Sequence, residues 1–407
     1  MNYILFDDSM RGDLLPLTFV RPIAEIRVGI LTIREKWEIY LKAKISTLTE
    51  TYLNKKYPLT KASENILINA SVLPNPELIK EIKKLKPNEA IISKDYIIAL
   101  NVTEKDLKKV KSSDKNTHEY EGDIEFSNVT EIETKIKHTK ISNLWDIFHF
   151  NDAAIKDDFT LLTKGKKSQP ISKTNTVIGG GEIFVEKGAI IENSSLNTTT
   201  GPIYIGKDAE IMEGSLIRGP FALCEKAIVK MGAKIYGATT IGPFCKVGGE
   251  LNNVVMFGYS NKAHDGFLGN SVIAEWCNLG ANTTNSNLKN TYDEVKIWNY
   301  PQQKFVYTGL QFCGLIMGDH SKCGINTMFN TGTVVGVNAN IFGAGYQRVF
   351  IPSFVWGSNT AGYSTYDFDK AIKVAESVMA RRNVILTKED KKILQFVYEL
   401  TFTYRKI

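Results

Sequence analysis

A period of six constrains this chain more than any other feature. Stepping by six from Ile205 meets Ile211, Ile217, Leu223, Val229, Ile235, Ile241 and Val247, an unbroken file of aliphatic residues. A helix repeats its apolar face every 3.6 positions and a strand every two, so neither produces that file, whereas a stack of short identical units does. The same step fits Ile178, Phe184, Ile190 and Leu196 upstream, then Phe267, Ile273 and Leu279, then Met317, Cys323, Phe329, Val335 and Ile341. Glycine follows the station at Gly206, Gly242, Gly248, Gly280, Gly318, Gly324 and Gly336, where a sharp corner favours a residue without Cβ. Each hexapeptide reads as one short strand plus a corner, and three close one turn of a triangular prism with the aliphatics inside. The stations supply about six turns. The period specifies a parallel β-solenoid but not its hand, because parallel crossovers generally prefer the right hand.

Two interruptions stand out. Between Val247 and Phe267 the register breaks around Asn261-Lys-Ala-His-Asp-Gly, and between Leu279 and Met317 an excursion carries residues 282–311. Loops that leave a rigid scaffold are where function tends to sit. The excursion holds Trp298, Tyr300, Phe305 and Tyr307. It either covers a ligand groove or packs on a neighbouring subunit, with aromatic packing underlying both.

Residues 1–160 alternate between strand and helix patterns. Tyr3 to Phe6, Asn65 to Ile68 and Ala90 to Ile92 suit buried strands, while Ile30 to Ala43 and Pro76 to Leu85 suit helices. A connecting helix is expected over Asn143 to Phe159, and residues 161–174 read as a linker. The solenoid occupies 175–350, and 366–407 hold two helices, the second opened at Thr387-Lys-Glu-Asp in the manner of a capping box. Their simplest role is to cover the open solenoid end, whose last strands would otherwise expose unpaired edges.

Composition excludes several classes. A chain of 407 residues with 43% hydrophobic and 23% charged residues has material for more than one ordinary globular core. A net charge of +6, spread rather than clustered, argues against nucleic-acid binding. No apolar run approaches bilayer length, and the opening Met-Asn-Tyr-Ile-Leu-Phe-Asp-Asp lacks the basic start of a secretory signal. The five cysteines have no Cys-x-x-Cys spacing, so no metal ribbon or disulfide framework is indicated and a reducing cytoplasm fits best.

Asn261-Lys-Ala-His-Asp-Gly-Phe-Leu-Gly, then Asn278-Leu-Gly-Ala-Asn, then Asn285-Ser-Asn287, resembles the acetyltransferase half of the bifunctional N-acetylglucosamine-1-phosphate uridylyltransferase/glucosamine-1-phosphate acetyltransferase family. The fold resemblance covers roughly residues 175–345 and the specific signal about 261–287. It implies a left-handed parallel β-helix of hexapeptide repeats, a homotrimer, and acetyl-CoA as co-substrate. It makes His264 the general base that takes a proton from the substrate amine; imidazole accepts a proton near neutral pH, and an ammonium cannot attack a thioester. Lys262, Phe267, Asn278, Ala281 and Asn287 become residues that hold the sugar phosphate or CoA. The alternative for His264 is a corner residue satisfied by neighbouring backbone. Phe267 stands where the family has tyrosine and Leu288 where it has another, so sugar-phosphate binding differs. Arg381 and Arg382 either meet CoA phosphates or serve a helix dipole.

The family's other half is a sugar-1-phosphate nucleotidyltransferase, and here the echo is fainter. Strand Tyr3 to Phe6 leads into Asp7-Asp-Ser-Met-Arg-Gly-Asp-Leu-Leu-Pro-Leu-Thr-Phe-Val-Arg-Pro, where Arg11, Gly12 and Arg21-Pro22 echo a phosphate-cradling loop whose paired glycines are absent. Ile23 occupies the lysine position, and no aspartate follows the strand at 65–70. Arg11, Arg21 and Arg27 either bind an anionic nucleotide or pair with Asp7, Asp8, Asp13 and Glu25. The expectation is an α/β nucleotidyltransferase-like domain followed by a β-helix acyltransferase domain with C-terminal helices. It acts on an amino sugar phosphate in nucleotide-sugar synthesis, and uses Mg²⁺ only if the first domain is active. The other readings are a nucleotidyltransferase with the β-helix as scaffold, and a silent sugar-nucleotide-binding regulator.

Overall fold

The computed structural model describes residues 1–107 and 129–405. Packing divides them into two units: 1–26, 31–144 and 388–393 form the first, and 27–30, 145–387 and 394–407 the second. The helix Asn151–Thr163, expected as a connector, belongs to the second unit.

The first unit is built on a six-stranded mixed sheet of β1 (Asn2–Phe6), β2 (Ser46–Leu48), β3 (Glu64–Asn69), β4 (Glu89–Ser93), β5 (Tyr96–Thr103) and β6 (Thr130–Glu133), in the order β2-β1-β3-β5-β4-β6. Ile4, Phe6, Leu67, Ala90, Leu100 and Val102 make one buried cluster on it. The sequence pattern missed β2, β5 and β6. β5, for which the sequence reading had no strand, joins β4 through a tight hairpin in which Ser93 faces Tyr96 and Lys94 takes a φ of 51°. β1 pairs in parallel with β2 on one side and β3 on the other. Its carboxyl end is therefore a topological switch point, where ligands of open α/β sheets bind, and Asp7 and Asp8 follow directly there.

The second unit is a parallel β-helix. One of its sheets has ten strands, of which the last, Gly362–Thr365, pairs antiparallel with Val355–Ser358. Nine parallel strands remain on that face, more than the six turns counted from aliphatic stations. Ile205, Ile211, Ile217, Leu223, Val229, Ile235, Ile241 and Val247 all lie in the central stack and are at most 2% exposed.

Two stretches correct the stepping. In the first coils Val185 and Ile191 point inward while Ile178 and Ile190 are exposed, and Phe184 stacks outward on Tyr204 with ring centroids 6.1 Å apart. Ile191 to Leu196 is a five-residue step, and that short repeat shifts the phase. Leu268, not Phe267, fills the core, followed after another five-residue step by Ile273.

The break expected between Val247 and Phe267 is a continuous coil. Leu251 and Met256 fill its first two stations, and the third is Lys262, in register with Val247. The later excursion folds as an antiparallel hairpin, Lys296–Asn299 with Lys304–Tyr307. Trp298 stacks on Phe350 at 4.3 Å, and Tyr300 meets Tyr404 edge-on at 5.3 Å, so the hairpin packs on its own chain.

The exposed edge of the last coil is taken by strand Gly362–Thr365 rather than by a helix. Helices Phe368–Ala380 and Lys388–Leu400 pack instead on Phe354 through Phe368 and Tyr398. Among the described residues no helix is long and apolar enough to cross a membrane. All five cysteines are free and buried.

Candidate functional site

His264 sits on a corner of the β-helix. Asn261–Lys262 is a strand of the ten-stranded face, and Phe267–Ile273 opens on the face that follows, so residues 263–266 turn between the two. His264 and Asp265 are exposed at the tip. The neighbouring coil makes room: a Cβ on Gly249, whose φ is 74°, would lie 2.9 Å from the His264 carbonyl oxygen and 2.8 Å from that of Gly266. A Cβ on Gly248 would come within 2.6 Å of the Ala263 oxygen. The paired glycines let the His264 corner nest against the coil below.

The two asparagines flank this corner on its two faces. Asn278 is in register with Asn261 on the ten-stranded face, and Asn261 Nδ2 donates to its Oδ1 at 3.4 Å. Asn261 Oδ1 accepts in turn from Arg382 Nη2 at 3.2 Å. On the other face Asn287 Nδ2 donates to Asn270 Oδ1 at 2.8 Å. Phe267 and Asn287 lie together over Gly269: a Cβ there would meet the Phe267 ring at 2.5 Å and Asn287 Nδ2 at 2.6 Å. The backbone of Gly269 is itself held by buried Asn285, whose Oδ1 accepts from its N–H at 2.9 Å and whose Nδ2 donates to its carbonyl at 3.2 Å. Ala281 lies on the next corner along, half-buried, and its carbonyl accepts from Asn326 N–H at 2.8 Å.

Lys262 differs from its expected place. It is 1% exposed and points into the prism, so its ammonium is not presented to a ligand phosphate at the surface. Its Nζ donates to the carbonyls of Gly248 at 3.3 Å, Asp265 at 2.8 Å, and His264. Burial pushes it down to about 8, with Asp265 acting in the opposite sense.

Positive charge gathers beside Asn261. Lys246 is in register with it, and burial together with Arg382, Lys230 and Arg381 holds the Lys246 ammonium below its ordinary value. Sequence reasoning named Arg381 and Arg382 but not Lys246, Lys230 or Asn270, and it quoted Asn261 and Asn285 in the motif without giving either a role. Asn285 was findable, because it stands six residues after Leu279, but a search for aliphatic stations passes over it.

The candidate residues of the first unit have partners inside that unit. Arg11 is 2% exposed and forms a 3.2 Å ion pair with Asp7, which takes the pairing alternative. It also donates to the Thr18 carbonyl and to Tyr52 Oη at 2.8 Å. Arg21 is 4% exposed and donates to the Leu17 carbonyl at 3.2 Å. Gly12 has a helical φ of −62°, and its N–H is spent on the preceding turn, so it forms no phosphate cradle. Arg27 belongs to the second unit and donates to the Phe257 carbonyl at 3.0 Å.

At the switch point Asp8 accepts from Asn69 at 2.9 Å and Ser71 at 3.2 Å, and pairs with Lys140 at 2.9 Å. Both carboxylates after β1 are thus paired with cations, and Asn69 at the end of β3 and Ser71 just beyond it bring an amide and a hydroxyl to Asp8. Among the described residues no group of three or more His, Cys, Asp or Glu side chains stands together as a metal site.

Residues 3–167 match the family model described as sugar nucleotidyl transferase. Over 145 residues the chain is 29% identical to a bifunctional sugar-1-phosphate nucleotidylyltransferase/acetyltransferase of Sulfurisphaera tokodaii, covering 35% of each chain. Over 213 residues it is 27% identical to the bifunctional protein GlmU of Methanocaldococcus jannaschii, covering 51% of this chain and 45% of that one. A putative uncharacterized acetyltransferase, YaiX, of Escherichia coli is 25% identical over 154 residues, covering 37% and 66%. The chain spans between about a third and a half of the length of the first two relatives.

Proposed function

We propose, from the resemblance of this chain to the bifunctional sugar-1-phosphate nucleotidylyltransferase/acetyltransferases, that its β-helix transfers an acetyl group from acetyl-CoA to the amine of an amino sugar phosphate of the glucosamine-1-phosphate kind. The observation that carries this reading is one exposed histidine on a corner, flanked by Asn278 on one face and Asn287 on the next. Asn287 Nδ2 is committed to Asn270, which fixes the direction in which its Oδ1 faces a substrate.

In the reaction the free amine attacks the thioester carbonyl carbon and a C–N bond forms. His264 takes the proton the nitrogen must lose, the C–S bond breaks, and the CoA thiolate leaves and is protonated. A positioned base contributes about 10²- to 10⁴-fold to such a step. Phe267 offers an apolar wall beside Asn287, and the Ala281 segment lies where CoA would run. Lys230, Lys246, Arg381 and Arg382 supply the charge for a phosphate of either substrate. The reading includes a homotrimer acting in the cytoplasm.

No nucleotidyl transfer is assigned to the first unit, since the groups at its switch point are paired with one another. The test is release of free thiol from acetyl-CoA with glucosamine-1-phosphate. Wild type is expected to turn over, and His264→Ala to be slower by about 10²- to 10⁴-fold. Equal rates would remove His264 from the chemistry.

A further inference from the structure

We propose that Lys262 is a positioning residue for His264: an ammonium planted at an interior station of the β-helix, holding the backbone carbonyls of the corner on which the imidazole stands. The proposal rests on His264 being the base of acyl transfer.

The register gives the first reason. Lys262 aligns with Val247 on one neighbouring coil, and its partner Asn261 aligns with Asn278, which places Leu279 at the equivalent station on the other. Those neighbours show that an aliphatic residue fits the station, so the solenoid itself has no need of a lysine there. Burying an ammonium in an apolar stack is costly unless its donors are satisfied. An ammonium has three donors, and Lys262 Nζ reaches the carbonyls of Gly248, His264 and Asp265.

The corner itself gives the second reason. Four other corners that leave the ten-stranded face are closed by a bond across the turn, from a backbone N–H at Ala233 to Lys230 (3.3 Å) and Thr283 to Gly280 (3.2 Å), or from a hydroxyl at Ser215 to Met212 (2.8 Å) and Thr327 to Gly324 (2.9 Å). Among the described residues the corner 263–266 has no such bond. Its ends are tied by Gly248 N–H to Lys262 at 2.8 Å and Glu250 N–H to Gly266 at 3.2 Å, and its tip is held by the lysine. The side chain supplies that tie from inside the prism, while His264 itself is exposed at the tip.

The experiment compares Lys262→Met, Lys262→Leu and Lys262→Arg in the full chain. Three readouts are needed: steady-state kinetics, amide hydrogen exchange over 263–267, and kinetics of the same changes in a His264→Ala background. Met and Leu are expected to lower kcat roughly 10- to 100-fold, the scale of a small misplacement of a reacting group. KM for both substrates should stay unchanged and exchange at the corner should accelerate, while Arg recovers most of the rate. In the His264→Ala background Lys262→Met should cost nothing further.

A folded Lys262→Met with wild-type kcat overturns the proposal, as does an equal loss in the His264→Ala background. Failure of both Met and Leu variants to fold also overturns it, since the lysine would then hold the coil rather than the corner. If His264→Ala itself keeps the wild-type rate, the acyl-transfer reading falls separately. The exchange readout still decides whether Lys262 holds the corner, and unchanged exchange refutes that.

Discussion

At position 262 a lysine stands at an interior station, and the period looked broken there because short steps from Val247 to Leu251 and from Leu251 to Met256 shift the phase before it. A filter for apolar stations rejects Lys262 and Asn285, yet both are buried, Lys262 holding the backbone of His264 and Asn285 that of Gly269. His264, Asn278 and Asn287 were singled out by the family resemblance; the buried groups around them were not, because burial of a polar residue depends on partners distant in sequence. The lysine has a measurable consequence. Its folded value of about 8 lies below its ordinary 10.5, so the unfolded chain binds more protons between those values and stability rises with pH across that window. Melting temperatures of wild type and Lys262→Met from pH 8 to 10 should diverge in favour of wild type as pH rises. A difference that stays constant would contradict the assigned burial of the ammonium.

For the elements, phase matters more than hydrophobicity. Ile235 and Ile190 are both isoleucines on stations of the sequence period, but Ile235 is 1% exposed in the central stack while Ile190 is 56% exposed. Ile235→Ala should cost about 2–5 kcal/mol of unfolding free energy and Ile190→Ala under about 0.5 kcal/mol. Chemical denaturation of both variants checks this, and equal losses would return the first coils to the six-residue phase. The five-residue steps at Ile191 to Leu196 and Leu268 to Ile273 explain why the phase could not be carried from sequence: a short corner leaves no compositional mark. The aromatic excursion was visible as an interruption, but its docking on Phe350 and Tyr404 depends on residues tens of positions away.

For the whole molecule, the two units carry unequal signals. The β-helix announces itself by repetition. The first unit has no repeat and few motif residues, so its fold class was legible while three of its six strands were not. Its loop after β1 keeps the arginine of a phosphate-binding pattern but uses it inward: Arg11 and Asp7 form a buried pair. Arg11→Ala is therefore expected to lower stability by about 3–5 kcal/mol, the cost of stranding a buried charge. Thiol release per folded molecule should be unchanged. A loss of acyl transfer without loss of stability would place Arg11 in a binding role instead.

The central claim is that the corner at His264 performs acetyl transfer. Its most direct test is transfer of isotope-labelled acetyl from acetyl-CoA onto glucosamine-1-phosphate, measured as labelled N-acetyl sugar phosphate formed by wild type and by His264→Ala. The account predicts labelled product from wild type and a rate about 10²- to 10⁴-fold lower without the imidazole. Product formed equally fast by both proteins would contradict it.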